Sequence, residues 1–206
     1  MKERPILFST GMVKAILDGK KTMTRRVFKG ETVGNFDCMC TIKKGLPKKQ
    51  LNIWGAMFKQ IYDGFPTHYF TPSPYGFIGD LLWVKETFAI HAGESFYRAD
   101  ECVFGKKANY TEVNGVLFAG WKPSIFMPKK FARIWLKVTE IRVERLQSIS
   151  DSAAIQEGIN RTNTSIQGYA TTRFKGLWNS INEKRGFGWD TNPWVWVVGF
   201  ERVQKS

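Results

Sequence analysis

The densest run of reactive side chains is Asp18-Gly19-Lys20-Lys21-Thr22-Met23-Thr24-Arg25-Arg26. Its cations supply hydrogen-bond donors for phosphate oxygens, and the stretch is too short to bury them all. Without chemistry it is a solvated basic turn. A sharper reading pairs Lys21 with Thr24, because a hydroxyl becomes a nucleophile when a neutral amine accepts its proton. Lys20, Arg25 and Arg26 would disfavour the ammonium form of Lys21 and so favour that role. Residues three apart lie on opposite faces of a straight strand, so the two side chains meet only if Lys21 sits in a turn, which Gly19 allows. A carboxylate to complete the set comes from Glu86, inside Trp83-Val84-Lys85-Glu86-Thr87, or from Glu157, just before Gly158. Spacing alone does not choose between them, and each also reads as a surface or helix-end charge.

A second block, Trp121-Lys122-Pro123-Ser124-Ile125-Phe126-Met127-Pro128-Lys129-Lys130, interleaves aromatic rings and cations between two prolines that hold it extended. Such a loop can stack on bases and track phosphates. Trp121 and Met127 can equally plug the end of a barrel.

The elements that must position these residues follow from periodicity. Pro5–Phe8 reads as a strand and Ser9 or Thr10 as the cap of a helix carrying Met12, Val13, Ile16 and Leu17. Gly19 ends that helix, and Thr22–Phe28 is β-prone. Lys29 to about Pro74 loses clear period and reads as an insertion. Within it Ile53, Trp54, Met57, Phe58, Ile61 and Tyr62 suit an amphipathic helix, with a β-hairpin turning at Asp63-Gly64 as the alternative. Gly79-Asp80 leads into a strand from Leu81 to Phe88, and Phe96 and Arg98 lie in a short polar strand. From Ala132 to Glu144 the alternation changes phase, which predicts a bulge near Thr139 or Glu140. A helix over Asp151–Glu157 follows, capped by Ser150 and stopped by Gly158, then a helix with Phe174, Leu177, Trp178 and Ile181 on one face, then a strand from Trp194 to Val203. Few strands are joined by crossover helices, so the order predicts an α+β fold, a small mixed barrel or strongly curved sheet with helices at its rim.

Composition sets the outer limits. The 206 residues carry 31 Lys+Arg against 18 Asp+Glu, a net charge of +13, which allows one well-filled domain and points first to a polyanionic partner. No window approaches ~18 apolar residues, so no membrane span is expected. Met1-Lys2-Glu3-Arg4-Pro5 lacks the apolar run of a signal peptide, and the chain reads as cytoplasmic. Cys38, Cys40 and Cys102 form no disulfide framework, and with His68 and His91 they lack the spacing of a zinc ribbon or finger, so no metal or other cofactor is expected.

Ala15-Ile16-Leu17-Asp18-Gly19-Lys20-Lys21-Thr22-Met23-Thr24-Arg25-Arg26 resembles the signature that opens ASCH domains, small barrels of the PUA-like superfamily. Gly79-Asp80-Leu81-Leu82-Trp83-Val84 resembles their second signature, and residues 83–87 and 121–128 are similar to blocks of the longer phage and prophage members. Lys85 stands where Arg is usual there, and Phe126 where His is expected. The resemblance implies one PUA-like domain over residues 1–206, with insertions at about 29–74 and 92–120. Some ASCH proteins remove the acetyl group from N4-acetylcytidine with a Lys, a Thr and a Glu. Carried over by motif, these are Lys21, Thr24 as nucleophile and Glu157 as acid or base, and the resemblance thereby selects Glu157 over Glu86 as the catalytic carboxylate. Arg25, Arg26, Trp83, Lys85, Glu86, Trp121, Lys122 and Ser124 would then bind the substrate, a modified cytidine nucleoside or RNA. The alternatives are a non-catalytic module that binds RNA or a modified base and a metal-independent ribonuclease.

Overall fold

The computed structural model describes residues 1–30, 35–44, 51–63, 65–91, 94–100, 105–107, 110–113, 116–118, 120–160 and 166–204. Cys102 and Gly64 lie outside these. In chain order the strands are β1 (Glu3–Leu7), β2 (Met23–Val27), β3 (Asn35–Lys44), β4 (Leu51–Tyr62), β5 (Phe65–Pro72), β6 (Leu81–Lys85), β7 (Phe88–His91), β8 (Glu94–Tyr97), β9 (Gly105–Lys107), β10 (Tyr110–Val113), β11 (Val116–Phe118), β12 (Trp135–Arg145) and β13 (Trp194–Val203). The helices are α1 (Thr10–Leu17), α2 (Asp151–Gln156) and α3 (Tyr169–Asn182).

Five strands build the central sheet in the order β1-β6-β12-β13-β2, parallel only between β1 and β6. Its register shifts between Val138 and Glu140, where the alternation of the sequence changes phase. The extra residue lets Leu136 and Val138 before the shift, and Ile141 and Val143 after it, bury on the same face. That face packs with Val13 and Ile16 of α1 and with Phe58 of β4. The opposite face presents Met23, Val195 and Val197 to Ala153 and Ala154 of α2 and to Phe174 and Trp178 of α3. Trp196 and Val198 thus point one way and Val195 and Val197 the other, as the strand pattern requires.

The α+β reading agrees with these elements. A closed barrel is not formed among the described residues: the strands make four open sheets, and β1 and β2 end the largest one without pairing to each other. Between them α1 and the irregular turn at residues 18–22 occupy the chain instead of extending it.

The helix expected over Ile53–Tyr62 is a strand. Apolar residues spaced by four also fit a strand whose alternate positions are buried, and Ala56 and Phe58 are fully buried here while Ile61 is 69% exposed. β4 pairs antiparallel with β3 and β5, turning after Asp63, so the hairpin alternative describes this region. At Gly55 an added Cβ would come within 2.2 Å of the Thr71 carbonyl oxygen, so only glycine lets β4 and β5 close there.

Candidate active site

The chain leaves α1 through Gly19, at φ +70°, and both Lys20 and Lys21 donate their backbone N–H to the Ala15 carbonyl. Lys21 therefore lies in the turn before β2, as a meeting with Thr24 requires. The turn is fastened to the end of α2 by a backbone bridge between Lys21 and Glu157 and by Thr22 N–H donating to the Gln156 carbonyl at 2.9 Å. Glu157 is the C-cap of α2, and Gly158 follows at φ +92°. A Cβ at Gly158 would stand 3.2 Å from Lys21 Cβ and 3.1 Å from Ala15 Cβ, so glycine serves both the turn and the close approach.

This contact buries Lys21, whose side chain is 0% exposed. Its ammonium carries three donors, and three acceptors meet them: the Met23 carbonyl at 2.8 Å, the Glu157 carbonyl at 2.7 Å and Glu157 Oε2 at 2.8 Å. Glu157 Oε1 accepts from Arg25 Nη1 at 3.2 Å, while Arg25 Nε and Nη2 donate to Glu144 Oε1 at 3.1 and 2.6 Å. Glu144 Oε2 in turn accepts from Arg142 Nε at 2.9 Å, and Arg142 also pairs with Glu140. An alternating string of charges thus runs from the partly exposed Glu140 to the buried Lys21. Burial lowers the proton affinity of Lys21 below that of an ordinary lysine; Glu157 opposes part of this, while Arg26 and Arg25 add to it.

Thr24 and Glu157 both line a cavity of about 440 Å³ that wraps around the free edge of β2, between α3 and the chain leaving β5. This is the size range of small-molecule sites. Lys21 is not in its wall. Thr24 is itself buried, yet among the described residues its hydroxyl takes no hydrogen bond, including none with Lys21. Tyr75, Phe174, Trp178 and Trp196 give the cavity an aromatic lining. Burial raises the proton affinity of the Tyr75 hydroxyl, and Arg26 partly opposes that shift.

Arg26 also lines the cavity, but its surroundings differ from those of Arg25. It donates one Nη2 hydrogen bond, to the Leu7 carbonyl, and lies 5.0 Å from the Phe8 ring centre. Its Nε is buried without an acceptor, and burial lowers its proton affinity. Among the described residues no carboxylate pairs with Arg26, with Lys29 or with Arg185, the three free cations of the wall. Arg185 donates to Asn182 Oδ1 at 3.2 Å.

The remaining residues singled out from the sequence lie away from this wall. Glu86 is 1% exposed and held by both Arg133 Nε and Nη2, at 2.9 and 3.0 Å, while Arg133 Nη1 reaches Asp100. Lys85 donates to the Ile125 carbonyl and lies 5.7 Å from the Trp83 ring centre. Lys122 joins Phe88 through backbone hydrogen bonds, Trp121 is half-buried, and Ser124 opens a short 3-10 turn. Met127 is buried and its sulfur accepts from the Glu86 N–H, so this loop is anchored beside Glu86 and Arg133. Cys38 and Cys40 are free thiols, and no group of three or more potential metal ligands converges among the described residues. Nor is any described helix long and apolar enough to cross a membrane.

Glu144, Tyr75, Lys29 and Arg185 complete the site and carry no motif. Glu144 occupies an outward position on an alternating strand, where charge is ordinary; only its place two strands from Arg25, across β13, gives it meaning. Compared with family models, curated proteins and solved structures, the chain matches none.

Proposed function

We propose that this cavity is the substrate site of an amide hydrolase of the ASCH, PUA-like kind, removing the acyl group from an N4-acylated cytidine. One observation carries the reading. A hydroxyl with no hydrogen bond among the described residues, Thr24, shares a wall with the carboxylate of a buried Lys–Glu pair, and the aromatic lining suits a flat base.

All three Lys21 donors are engaged, so Lys21 acts as a base only after passing a proton to Glu157 Oε2 across 2.8 Å. Lys21 and Thr24 share no hydrogen bond here, so neutral Lys21 takes the Thr24 proton only after its amine turns from Glu157 toward Oγ1, as Oγ1 bonds to the acyl carbon and the carbonyl oxygen becomes an oxyanion. When the oxyanion collapses, the C–N4 bond breaks and the proton on Glu157 passes to the departing amine. That leaves cytidine, an acyl-Thr24 ester and the original ammonium–carboxylate pair. Water hydrolyses the ester and restores the Thr24 hydroxyl.

The test is incubation of purified protein with N4-acetylcytidine and with RNA in parallel, followed by product analysis. Cytidine and acetate are expected from the first. Thr24→Ala should abolish their release and melt within a few degrees of wild type, since its hydroxyl holds nothing in the protein. Wild-type protein that releases neither product, with or without shortening the RNA, refutes the hydrolase.

A further inference from the structure

We infer that Arg26 is a receptor for a phosphate group carried by the cytidine, so that the cavity takes an acylated nucleotide in preference to the free nucleoside. This rests on the cavity being the substrate site proposed above. The first support is a contrast between two neighbouring guanidiniums, Arg25 buried and Arg26 half-buried with its Nε shut off from solvent. Arg25 meets two carboxylates, whereas Arg26 has one carbonyl, an aromatic face and an Nε with no acceptor. Taking even part of a charge out of water without a counter-charge in contact is unfavourable, and a fold that keeps such a group facing a cavity leaves the counter-charge to a ligand.

The second support is the charge of the wall as a whole. Among the described residues its single carboxylate, Glu157, bonds Lys21 and Arg25 and acts on Arg26 only at a distance, so Arg26 and the exposed Lys29 and Arg185 have no carboxylate in contact. One carboxylate on a ligand would leave most of that charge unmet. A phosphate carries up to two negative charges and enough acceptor oxygens for a guanidinium fork, and the half-buried Tyr75 hydroxyl in the same wall adds a donor.

The third support is placement. Thr24 and Arg26 are two residues apart on β2 and so project from one face, Thr24 opposite Val198 and Arg26 opposite Trp196. The reacting hydroxyl and the phosphate receptor are therefore side by side on one strand and separate, as they must be if the acyl group and the phosphate occupy different ends of a nucleotide. Such a phosphate has two sources, the monoester of a mononucleotide or the diester of an RNA chain.

The experiment compares kcat/KM for N4-acetylcytidine, its 5′-monophosphate and an oligoribonucleotide with an internal N4-acetylcytidine, and measures binding of cytidine 5′-monophosphate by calorimetry. Wild type should favour a phosphate-bearing substrate over the nucleoside by about tenfold or more. Preference for the monophosphate identifies the monoester and preference for the oligonucleotide the diester. Arg26→Gln should collapse that preference and weaken cytidine 5′-monophosphate binding about tenfold or more. Arg26→Met, which keeps an apolar stem against Phe8, should lose the same binding while melting within a few degrees of wild type, because the half-buried charge it removes has no carboxylate in contact among the described residues. Equal slowing of all three substrates in Arg26→Gln would place Arg26 at the reacting centre and overturn the proposal. Unchanged cytidine 5′-monophosphate binding in both variants would overturn it too. Absence of any hydrolysis, with binding that still depends on Arg26, refutes the hydrolase and leaves the phosphate site standing.

Discussion

Replacing Glu157 by Gln tests the buried pair at the heart of the site. The carboxylate is 4% exposed and faces two cations, Lys21 Nζ at 2.8 Å and Arg25 Nη1 at 3.2 Å. Arg25 keeps Glu144 in the variant, but Lys21, whose side chain is 0% exposed, keeps two backbone carbonyls and at most a neutral amide oxygen, with no counter-charge. Leaving one member of a buried pair uncompensated costs about 3–5 kcal/mol. At roughly 2–4 °C per kcal/mol for a chain of this size, the melting temperature should fall by about 6–20 °C. The deficit must also depend on pH in a set direction. Burial already lowers the proton affinity of Lys21, and the variant removes both contributions from Glu157 that oppose it. Between the lowered folded value and the ordinary 10.5, the unfolded chain binds more protons than the native one, so stability rises with pH. That window is wider in the variant, and its deficit relative to wild type should narrow as pH rises, by at most about 1.4 kcal/mol per unit. The double variant Lys21→Met, Glu157→Gln should be more stable than the sum of the single changes predicts, by about 1–3 kcal/mol. The assay is thermal unfolding of wild type and the three variants at about pH 7 and about pH 9.5. A Glu157→Gln protein that melts within about 2 °C of wild type at neutral pH, or whose deficit grows with pH, refutes the reasoning.

Two further outcomes follow from the contacts that hold this site in place. Asp151 accepts from Gly168 N–H at 2.6 Å, Thr171 N–H at 2.9 Å and the Thr171 hydroxyl at 2.6 Å, tying the start of α2 to the start of α3. The Thr171 hydrogen bonds, side chain first, lower its proton affinity, so this stabilisation is present above the ordinary 3.8 and lost as pH falls through the lower folded value. Asp151→Asn should melt lower than wild type near neutrality, and the gap should close in acid; a gap that persists in strong acid counts against it. Gly158→Ala should cost about 1–3 kcal/mol, through its positive φ and the crowding of Lys21 Cβ, and be seen as a lower melting temperature; an unchanged one would show that the turn relaxes freely.

The parts of this molecule that local pattern determines were legible in its sequence. The bulge in β12 could be read from a change of alternation, the α2 cap from Ser150, whose Oγ accepts from the Ala153 N–H, and the two faces of β13 from its Trp and Val residues. The carboxylate expected of the site from resemblance, Glu157, does meet Lys21, while Glu86 is committed to Arg133. What escaped was decided between distant elements. The segment at Ile53–Tyr62 is apolar enough for either a helix or a strand, and its state is set by the partners β3 and β5 provide. Lys85 at the end of β6 and the segment carrying Trp121 and Lys122 stand apart from the first signature through pairings that no local rule gives, β6 with β1 and β12 and Lys122 with Phe88.

The run from Lys20 to Arg26 shows how a uniform charge cluster is divided by the fold. In sequence its four cations are equivalent donors, but the fold gives each a different set of partners. Lys20 pairs with Asp18 at the surface, Lys21 with the cap of α2, and Arg25 with that cap and with β12. The difference between Arg25 and Arg26 is the alternation of one strand. Arg25 projects toward the α2 and α3 side, beside Val197, where Glu144 and Glu157 converge. Arg26 projects to the other side, beside Trp196, where the Leu7 carbonyl and the Phe8 ring are its neighbours. One residue of register therefore turns an Arg-Arg pair into one guanidinium that fixes the proposed catalytic carboxylate and one that faces the cavity without a carboxylate partner among the described residues. A one-residue slip of β2 would exchange the two roles, which is why the hydrogen bonds fastening Thr22 to Gln156 and Phe200 matter to the chemistry as much as to the fold.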